Sequence, residues 1–380
     1  MRRSALVIGA AVLTQFLSGS AAFSEILVGS VLSTTGPASF LGQPEKQTLE
    51  VYVKRINDAG GINGEKIRLI VYDDGSDASV SRTYATRLVE EDRVSAVVGG
   101  TGTGNSMAML PVFEEANIPF ISLSGGIEIV EPVRKWVFKP PQTDRMACAK
   151  IFSDLKQRQL TNIAFIAGQG GYAKSMVAQC KKVAGDYGIK ILAEESYGPR
   201  DSDMTAQLTT IKALPGLQAV INADIGQGPA IVTRNFAQLK LGVPLYQSHG
   251  AATQGYLDLS GAAAEGVRLP GPSLLVADQL PDSDPQKKVL LDYKTVIEQA
   301  TGSPVGTFGG YAHDGIMLLA DAMKRAGSKE PAKVREAIEK TRNYVATVGI
   351  INMSPTDHLG IDLSAFRMLE VRGGKWALVP

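Results

Sequence analysis

The sequence predicts an α/β protein built from two Rossmann-like, doubly wound lobes. Its 380 residues exceed the usual size of one hydrophobic core, so two domains of roughly 150 to 200 residues are expected. Short apolar runs alternate with amphipathic stretches from Ile26 onward, as in a parallel sheet that helices cover on both faces. The alternation restarts after Lys139-Pro140-Pro141, which marks the start of a second lobe.

The first lobe is predicted to hold four strands with helices between them. Apolar runs that end at Gly-, Ser- or Asp-containing turns predict strands at Ile26–Val31, Ile67–Tyr72, Val94–Val98 and Pro119–Ser122. Apolar residues at helical spacing predict helices at Gln47–Asn57, Ser79–Glu91 and Met107–Ala116. The first of these helices is expected to stop at Gly60-Gly61.

The second lobe repeats this pattern without detectable sequence similarity to the first. Its predicted strands are Ile163–Ala167, Ile189–Glu195, Ala219–Asn222 and Pro244–Gln247, and its helices are Asp144–Leu155, Tyr172–Ala184, Met204–Ala213 and Pro229–Leu239. Three later helices, at Pro285–Ala300, Tyr311–Ala326 and Pro331–Lys340, are expected to return to the first lobe. Strands at Ala365–Val371 and Trp376–Val379 are placed in the second.

These placements divide the chain into two discontinuous lobes. Residues 25–142 and 275–347 form the predicted first lobe, and residues 143–274 and 348–380 form the second. The chain then crosses between the lobes three times. A three-crossing connection makes a hinge with a cleft beside it.

Residues 1–24 are interpreted as a signal peptide. Arg2 and Arg3 supply the positive start, Ala5–Leu17 is an apolar stretch too short to span a membrane, and small residues suited to cleavage follow. An uncleaved N-terminal anchor is the alternative. Secretion predicts a periplasmic protein whose formal charge changes from +1 to about −1 (+1 − 2) once the two arginines are removed. Such a charge indicates neither a nucleic-acid partner nor a membrane surface.

The sequence lacks the usual signatures of enzymes and metal sites. It contains neither a phosphate-binding P-loop nor a Gly-x-Ser-x-Gly nucleophile motif, and the glycines of Gly99–Gly104 do not complete a dinucleotide fingerprint. Its three histidines, His249, His313 and His358, have no metal-ligand spacing. We therefore expect no enzymatic activity, cofactor or metal. Cys148 and Cys180 could form a disulfide in an oxidising compartment, but the sequence does not decide whether they meet.

Loops rich in Gly, Ser and Thr follow the strands of the first lobe. Three of them, at Ser33–Gly42, Thr101–Ser106 and Ser122–Gly126, lie where doubly wound sheets bind ligands, beyond the carboxyl ends of the strands. Hydroxyl groups and free N–H groups at helix N-termini are good partners for a carboxylate. Helix capping explains any one loop equally well, but three at the same edge favour ligand binding.

Several motifs resemble those of periplasmic binding proteins of the leucine/isoleucine/valine type, the receptors of branched-chain amino acid ABC importers. The resemblance covers nearly all of the chain after residue 24. Its markers are Thr35-Gly36-Pro37, Ile56–Gly64, Tyr72-Asp73-Asp74, Val98-Gly99, Pro119–Ser122, Ala264-Glu265-Gly266 and Tyr311-Ala312-His313-Asp314. The resemblance implies a type I periplasmic binding fold that closes around its ligand, and it implies a monomer that delivers the ligand to an ABC permease.

The resemblance also implies a ligand-binding site. The hydroxyl that holds the ligand carboxylate falls on Thr103, in the loop that also contains Thr101. The second contact loop falls on Ser124, Gly125 and Gly126, the second-lobe tyrosine on Tyr172, and the aromatic at the cleft entrance on Leu41. Gly126 and Leu41 depart from the Thr and the aromatic residue of the family.

The most informative departure is His249, which stands where amino-acid-binding members carry an acid that pairs with the ligand ammonium. A buried ammonium without a carboxylate would cost several kcal/mol. The resemblance therefore favours relatives that bind aromatic or branched 2-oxo carboxylates. Alternatively, Asp224 supplies the missing charge, and the ligand is a branched-chain or aromatic amino acid. A sensory receptor that presents its ligand to another protein is a further alternative.

Overall fold

The computed structural model describes residues 25–379, so the predicted signal peptide lies outside the described residues. Two sheets, each flanked by helices, confirm the predicted α/β fold. The strands are β1 (Ile26–Leu32), β2 (Ile67–Asp73), β3 (Ala96–Gly99), β4 (Phe120–Ser122), β5 (Val137–Phe138), β6 (Asn162–Gly168), β7 (Lys190–Tyr197), β8 (Ala219–Ala223), β9 (Leu245–Gln247), β10 (Arg268–Gly271), β11 (Tyr344–Val345), β12 (Ile350–Ile351), β13 (Arg367–Arg372) and β14 (Lys375–Leu378). The helices are α1 (Ser39–Asp58), α2 (Ala78–Glu90), α3 (Thr103–Ala116), α4 (Asp144–Gln157), α5 (Gly171–Val183), α6 (Thr205–Lys212), α7 (Gly228–Leu239), α8 (Gln254–Ser260), α9 (Lys287–Thr301), α10 (Thr307–Ala326) and α11 (Pro331–Glu339).

The first sheet is parallel throughout, in the order β2-β1-β3-β4-β5. Helix α10 packs against α1 on one face of this sheet, and the buried side chains of both helices join its core. Helices α2 and α3 pack together over the opposite face. The strand ends therefore open on one edge, where the loops before α1 and α3 are brought together.

Helix α1 begins at Ser39, eight residues before the predicted Gln47. Pro44 usually interrupts a helix and therefore hid the first two turns from the sequence pattern. Leu41, Glu45 and Leu49 are spaced four residues apart and are all fully buried. Burial of this face stabilises the helix from its first turns, which is why it starts earlier than predicted.

The second sheet has the order β14-β13-β10-β9-β8-β6-β7. Its strands β7, β6, β8, β9 and β10 are parallel, whereas β13 and β14 add an antiparallel edge. Strand β10, helix α8 and the two-residue strands were not predicted, because segments this short carry no recognisable periodicity. Helices α4 and α5 pack on one face of the sheet, and α6, α7 and α8 belong to the core on the other.

Three segments connect the lobes: β5 to α4, β10 to α9, and β12 to β13. Hydrogen bonds from buried side-chain amides link these three segments to one another. Gln142 Nε2 donates hydrogen bonds to the carbonyls of Val348 and Ala365, and Gln286 Nε2 donates to Ala346. These hydrogen bonds from buried amide N–H groups hold the crossing segments in one register.

The helices of residues 25–379 include none that is long and apolar enough to cross a membrane.

Cys148 on α4 and Cys180 on α5 form a disulfide, which settles the pairing that the sequence left open. The bond closes a loop with a sequence separation of 32 residues, within the second lobe.

We expect the C148A/C180A double variant to have a free energy of unfolding lower by about 3 to 4 kcal/mol, the chain-entropy value for a loop of this length. Urea unfolding monitored by circular dichroism measures the difference. A reducing agent should destabilise the wild type but leave the double variant unchanged. Equal stabilities of the oxidised wild type and the double variant would contradict this expectation.

Candidate ligand-binding site between the lobes

Two adjacent cavities lie in the cleft between the lobes. The inner cavity has a volume of about 10 Å³, and the outer cavity, which opens toward solvent, has about 680 Å³. Thr103, Tyr172 and Ile225 line both. The inner cavity is further lined by Thr101, Gly125, His249, Gly250, Phe308 and Tyr311.

The lobes touch each other around these cavities. A β-carbon on Gly171, at the start of α5, would lie 2.9 Å from the backbone nitrogen of Gly104, at the start of α3. Thr307 Oγ1 donates a 2.5 Å hydrogen bond to the carbonyl of Ala252 in the second lobe. An inner cavity of about 10 Å³ has room for about one water molecule. Any larger ligand therefore enters this space only when the lobes move apart.

Thr103 lies at the N-terminus of α3, where the predicted carboxylate contact was placed. Its Oγ1 accepts a hydrogen bond from the backbone N–H of Gly126 at 3.1 Å, which leaves its own hydrogen available to a ligand. A β-carbon on Gly126 would lie 2.4 Å from Thr103 Cγ2. The absence of a side chain at position 126 is therefore what allows Thr103 to pack against this loop.

Gly125 brings the same loop against the second lobe. A β-carbon there would lie 2.7 Å from His249 Nε2 and 3.0 Å from Tyr172 Cε2. The Tyr172 hydroxyl is 3.0 Å from His249 Nδ1. The structure thus brings together three of the predicted residues at a direct contact between the lobes.

The His249 imidazole is buried and uncharged at neutral pH. Burial, and then the positive charge of Lys139, lower the pKa of His249 to about 3. His249 therefore offers a neutral nitrogen to a ligand, neither a carboxylate for an ammonium group nor a positive charge.

Thr101 lines the inner cavity, and hydrogen bonds on the side away from the cavity hold its hydroxyl group. Its Oγ1 accepts a hydrogen bond from the Ser33 backbone N–H at 3.0 Å and contacts Glu45 Oε2 at 2.5 Å. Glu45 is not among the site residues that the sequence predicts.

Four of the predicted site residues do not line the inner cavity: Gly126, described above with Thr103, and Ser124, Leu41 and Asp224. The Ser124 hydroxyl bonds with Ser106 at 2.7 Å and with Ser122 at 3.0 Å, behind the cavity wall, and lines neither cavity. Leu41 is fully buried in the first-lobe core, because it lies on the inward face of α1. Its neighbour Phe40 approaches the second lobe instead, with its ring 3.3 Å from a β-carbon placed on Gly255. Asp224 lines the outer cavity only.

The Asp224 carboxyl is packed among glycines, on a residue that is half-buried. β-Carbons on Gly168 and Gly228 would lie 2.3 Å and 2.7 Å from its Oδ2 atom. Burial raises the pKa of Asp224 to about 6, against the opposing effects of hydrogen bonds from the Ile225 N–H and the Tyr197 hydroxyl. This acid faces the outer cavity together with Thr103 and Tyr172.

Four residues of the inner cavity, Ile225, Gly250, Phe308 and Tyr311, were not predicted from the sequence as site residues, and the two on α10 need comment. The sequence favours a core position for Phe308, and this residue both joins the first-lobe core and lines the cavity. Tyr311 is recognisable in the sequence only as part of a family motif. Its hydroxyl has no hydrogen-bond partner among residues 25–379. Both positions follow from α10 beginning at Thr307, four residues before the predicted start.

Groups of three or more His, Cys, Asp or Glu side chains that could hold a metal ion do not occur in the described part of the chain.

We expect the His249→Gln variant to lose less stability than the wild type when the pH falls from 7 to 5. The folded wild type keeps this imidazole neutral down to about pH 3, whereas the unfolded chain protonates it below about pH 6.5. Protons therefore favour unfolding in this range, by about 2 kcal/mol at pH 5. Urea unfolding at both pH values measures the difference. Parallel loss of stability in the two proteins would contradict a neutral buried His249.

Comparisons with known proteins agree with this architecture. The family described as periplasmic binding protein matches residues 25–375. The leucine-, isoleucine-, valine-, threonine- and alanine-binding protein of Pseudomonas aeruginosa is 24% identical, over 95% of this chain and 92% of that protein. The crystal structure of an extracellular ligand-binding receptor from Rhodopseudomonas palustris HaA2 superimposes with a TM-score of 0.88 and 26% identity, over 94% of this chain and 100% of that chain. A solute-binding protein of an ABC transporter from R. palustris, in complex with benzoate, superimposes with a TM-score of 0.79 and 20% identity, over 94% and 96% of the two chains. The chain therefore belongs to the periplasmic binding protein family, in its leucine/isoleucine/valine-binding type.

Proposed function

We propose that this protein is the periplasmic receptor of an ABC importer and that it captures a small hydrophobic carboxylate, an aromatic or branched 2-oxo acid. The observation that carries the proposal is the composition of the inner cavity. Its wall offers hydroxyl groups, a neutral imidazole and apolar surface, and none of its nine lining residues is charged. The likeness to the benzoate-bound solute-binding protein supports the same ligand class.

The ligand carboxylate is placed at the N-terminus of α3. The N-cap residue of this helix, Gly102, has no side chain to occupy the free N–H groups, and the Thr103 hydrogen is available as a donor. These groups and the partial positive charge of the helix end stabilise an anion. Phe308 and Ile225 then contact the apolar body of the ligand, and Tyr172 and His249 cover it from the second lobe.

Binding proceeds by opening and closing of the lobes. The ligand binds the first lobe in an open form, and the second lobe closes over it by rotation at the three crossing segments. Because the ligand contacts both lobes only in the closed form, it shifts the population toward that form. The inner-membrane permease then accepts the closed, loaded protein. After removal of residues 1–24 by a signal peptidase, the receptor acts as a monomer.

A branched-chain or aromatic amino acid is the second candidate ligand, and one observation favours it. Asp224 is a half-buried acid in the outer cavity, which shares Thr103 and Tyr172 with the inner one. An ammonium group in the outer cavity could pair with this carboxylate while the ligand carboxylate stays on Thr103. The amino-acid-binding relative from P. aeruginosa is consistent with this alternative.

A thermal-shift screen of the mature protein tests the ligand class. One panel holds leucine, isoleucine, valine and phenylalanine. The other holds benzoate, 4-hydroxybenzoate, phenylpyruvate, benzoylformate and branched 2-oxo acids. A ligand at 100 times its Kd stabilises the protein by about 2.7 kcal/mol, which raises the Tm by several degrees. We expect shifts with the second panel alone. Shifts with the first panel alone would overturn the proposal in favour of Asp224 as an ammonium partner.

We further expect Thr103→Val to weaken binding of the carboxylate from the screen by about 10- to 100-fold, because one charge-assisted hydrogen bond is lost. Isothermal titration calorimetry measures the Kd. The matched variant Thr103→Ser retains the hydroxyl and should bind far more tightly than Thr103→Val. Equal losses in both variants would show that the hydroxyl does not hold the ligand.

A further inference from the structure

Glu45 is a buried acid directly behind the inner cavity. It lies on α1, is fully buried, and contacts the cavity-lining Thr101 through Oε2 at 2.5 Å. Its second oxygen, Oε1, has no hydrogen-bond partner among residues 25–379. Glu45 is therefore a buried carboxyl group with only one hydrogen-bonded oxygen, and Thr101 alone separates it from the proposed ligand. Buried polar atoms without partners are uncommon, so this one requires an explanation.

The groups around Glu45 offer no compensating positive charge. Asp74 faces it from the turn after β2, and Tyr311 faces it from α10. The neighbouring Lys46 on α1 is directed to the exposed Glu50, at 3.9 Å. Within the described chain, Glu45 forms no ion pair with a lysine, arginine or histidine. Burial raises the pKa of Glu45 well above its ordinary value, the Thr101 hydrogen bond opposes this effect, and the charge of Asp74 adds to it.

The contrast with Asp74 shows which of the two acids is built to carry a charge. The Asp74 carboxylate accepts hydrogen bonds from Ser33 Oγ at 2.7 Å, Ser81 Oγ at 2.8 Å and Asn105 Nδ2 at 2.9 Å, and also from the Ser76 N–H. Glu45 accepts at most one. Glu45 therefore has far less hydrogen-bond compensation for a negative charge than its neighbour, and this difference favours its protonated form.

Protonation of Glu45 determines what Thr101 presents to the cavity. A threonine hydroxyl has one hydrogen and two lone pairs, and one lone pair already accepts from the Ser33 N–H. If Glu45 is ionised, the Thr101 hydrogen is directed to it, and the cavity meets only a lone pair. If Glu45 is protonated, its O–H donates to Thr101, and the Thr101 hydrogen is free to donate into the cavity. The unpartnered hydroxyl of Tyr311 adds a second donor to the same wall.

We infer that Glu45 is a protonated positioning residue that acts through Thr101 to make this wall of the cavity a hydrogen-bond donor for a ligand oxygen. The inference rests on the proposed function, because it requires a carboxylate or carbonyl oxygen in the inner cavity. Glu45 also regulates that site, because capture of the ligand requires the proton on its carboxyl group.

The direction of the pH dependence follows from this arrangement. A bound anion beside Glu45 stabilises the protonated form, so binding retains or takes up one proton. Position 45 therefore adds no pH dependence to the affinity for a carboxylate at acidic pH. The affinity falls once the pH exceeds the range in which ligand-free Glu45 loses its proton, by at most about tenfold per pH unit.

The test measures the Kd of benzoate and of leucine by titration calorimetry from pH 5.5 to 9.5, with wild type and Glu45→Gln. The glutamine amide always donates to Thr101, so this variant should bind benzoate with no pH dependence from position 45, and more tightly than wild type at pH 9.5. The infrared carbonyl band of a buried protonated carboxyl group should be present in wild type at pH 7 and absent from Glu45→Gln. This second measurement needs no ligand.

A matched pair of variants isolates the second donor. Tyr311→Phe should weaken benzoate binding by about tenfold, the effect of one hydrogen bond to a charged group. Tyr293→Phe is the control, because the Tyr293 hydroxyl bonds to Thr48 at 3.1 Å and lines neither cavity.

The outcomes separate failure of the inference from failure of the proposed function. Benzoate binding with the same pH profile in wild type and Glu45→Gln, or an absent infrared band, would overturn the inference alone. Binding of leucine but not benzoate, abolished in Glu45→Gln, would overturn both and make Glu45 an ionised ammonium partner.

Discussion

The site depends first on the anchoring of one loop, residues 124–127, to the second lobe through Asp144. The Asp144 backbone N–H donates to the carbonyl of Gly125 at 2.9 Å, and its carboxylate accepts from the Ile127 N–H at 3.0 Å and from the Ser175 hydroxyl. These bonds fasten the first-lobe loop to the starts of α4 and α5. Thr103 packs on this loop from one side and His249 from the other. The relative position of the two surfaces that face each other across the cleft is therefore set at the hinge.

This anchoring explains why glycines occupy positions 125 and 126. With the loop held so close to both lobes, any side chain at position 126 would displace Thr103, and any at position 125 would displace His249. Because Gly126 has no side chain, Thr103 approaches the loop closely, and its hydroxyl accepts a hydrogen bond from the Gly126 N–H. The first lobe thus provides a fixed surface of hydroxyl and backbone donors, and the second lobe provides the aromatic ring of Tyr172 and the neutral imidazole that close over it.

The sequence predicted the fold well because short apolar runs alternate regularly with amphipathic helices along both lobes. The five predicted site residues that line the inner cavity, Thr101, Thr103, Gly125, Tyr172 and His249, all came from positions identified by a motif, and their role in ligand binding stays a prediction. Glu45 could not be found, since a single acid inside a helix looks like any solvent-facing residue until the helix start is known. The early start of α1 turns Leu41, Glu45 and Leu49 inward together, which places Leu41 in the core and Glu45 behind Thr101. The partners of Ser124 could not be predicted for a related reason, because its hydroxyl bonds with Ser106 and Ser122, and no sequence pattern reveals such contacts.

The closed arrangement itself argues for an anionic ligand. The N-termini of α3 and α5 meet across the cleft at Gly104 and Gly171, and neither helix has a side-chain cap at its N-cap residue. Each end carries a partial positive charge and free N–H groups, so their approach is electrostatically unfavourable on its own. A carboxylate beside Thr103 compensates the end of α3 and reduces its repulsion with the end of α5. An ammonium group in the same place would add to the repulsion. The helix ends and the uncharged inner wall are thus consistent with the orientation proposed above, in which the carboxylate leads into the cleft and its charge assists closure.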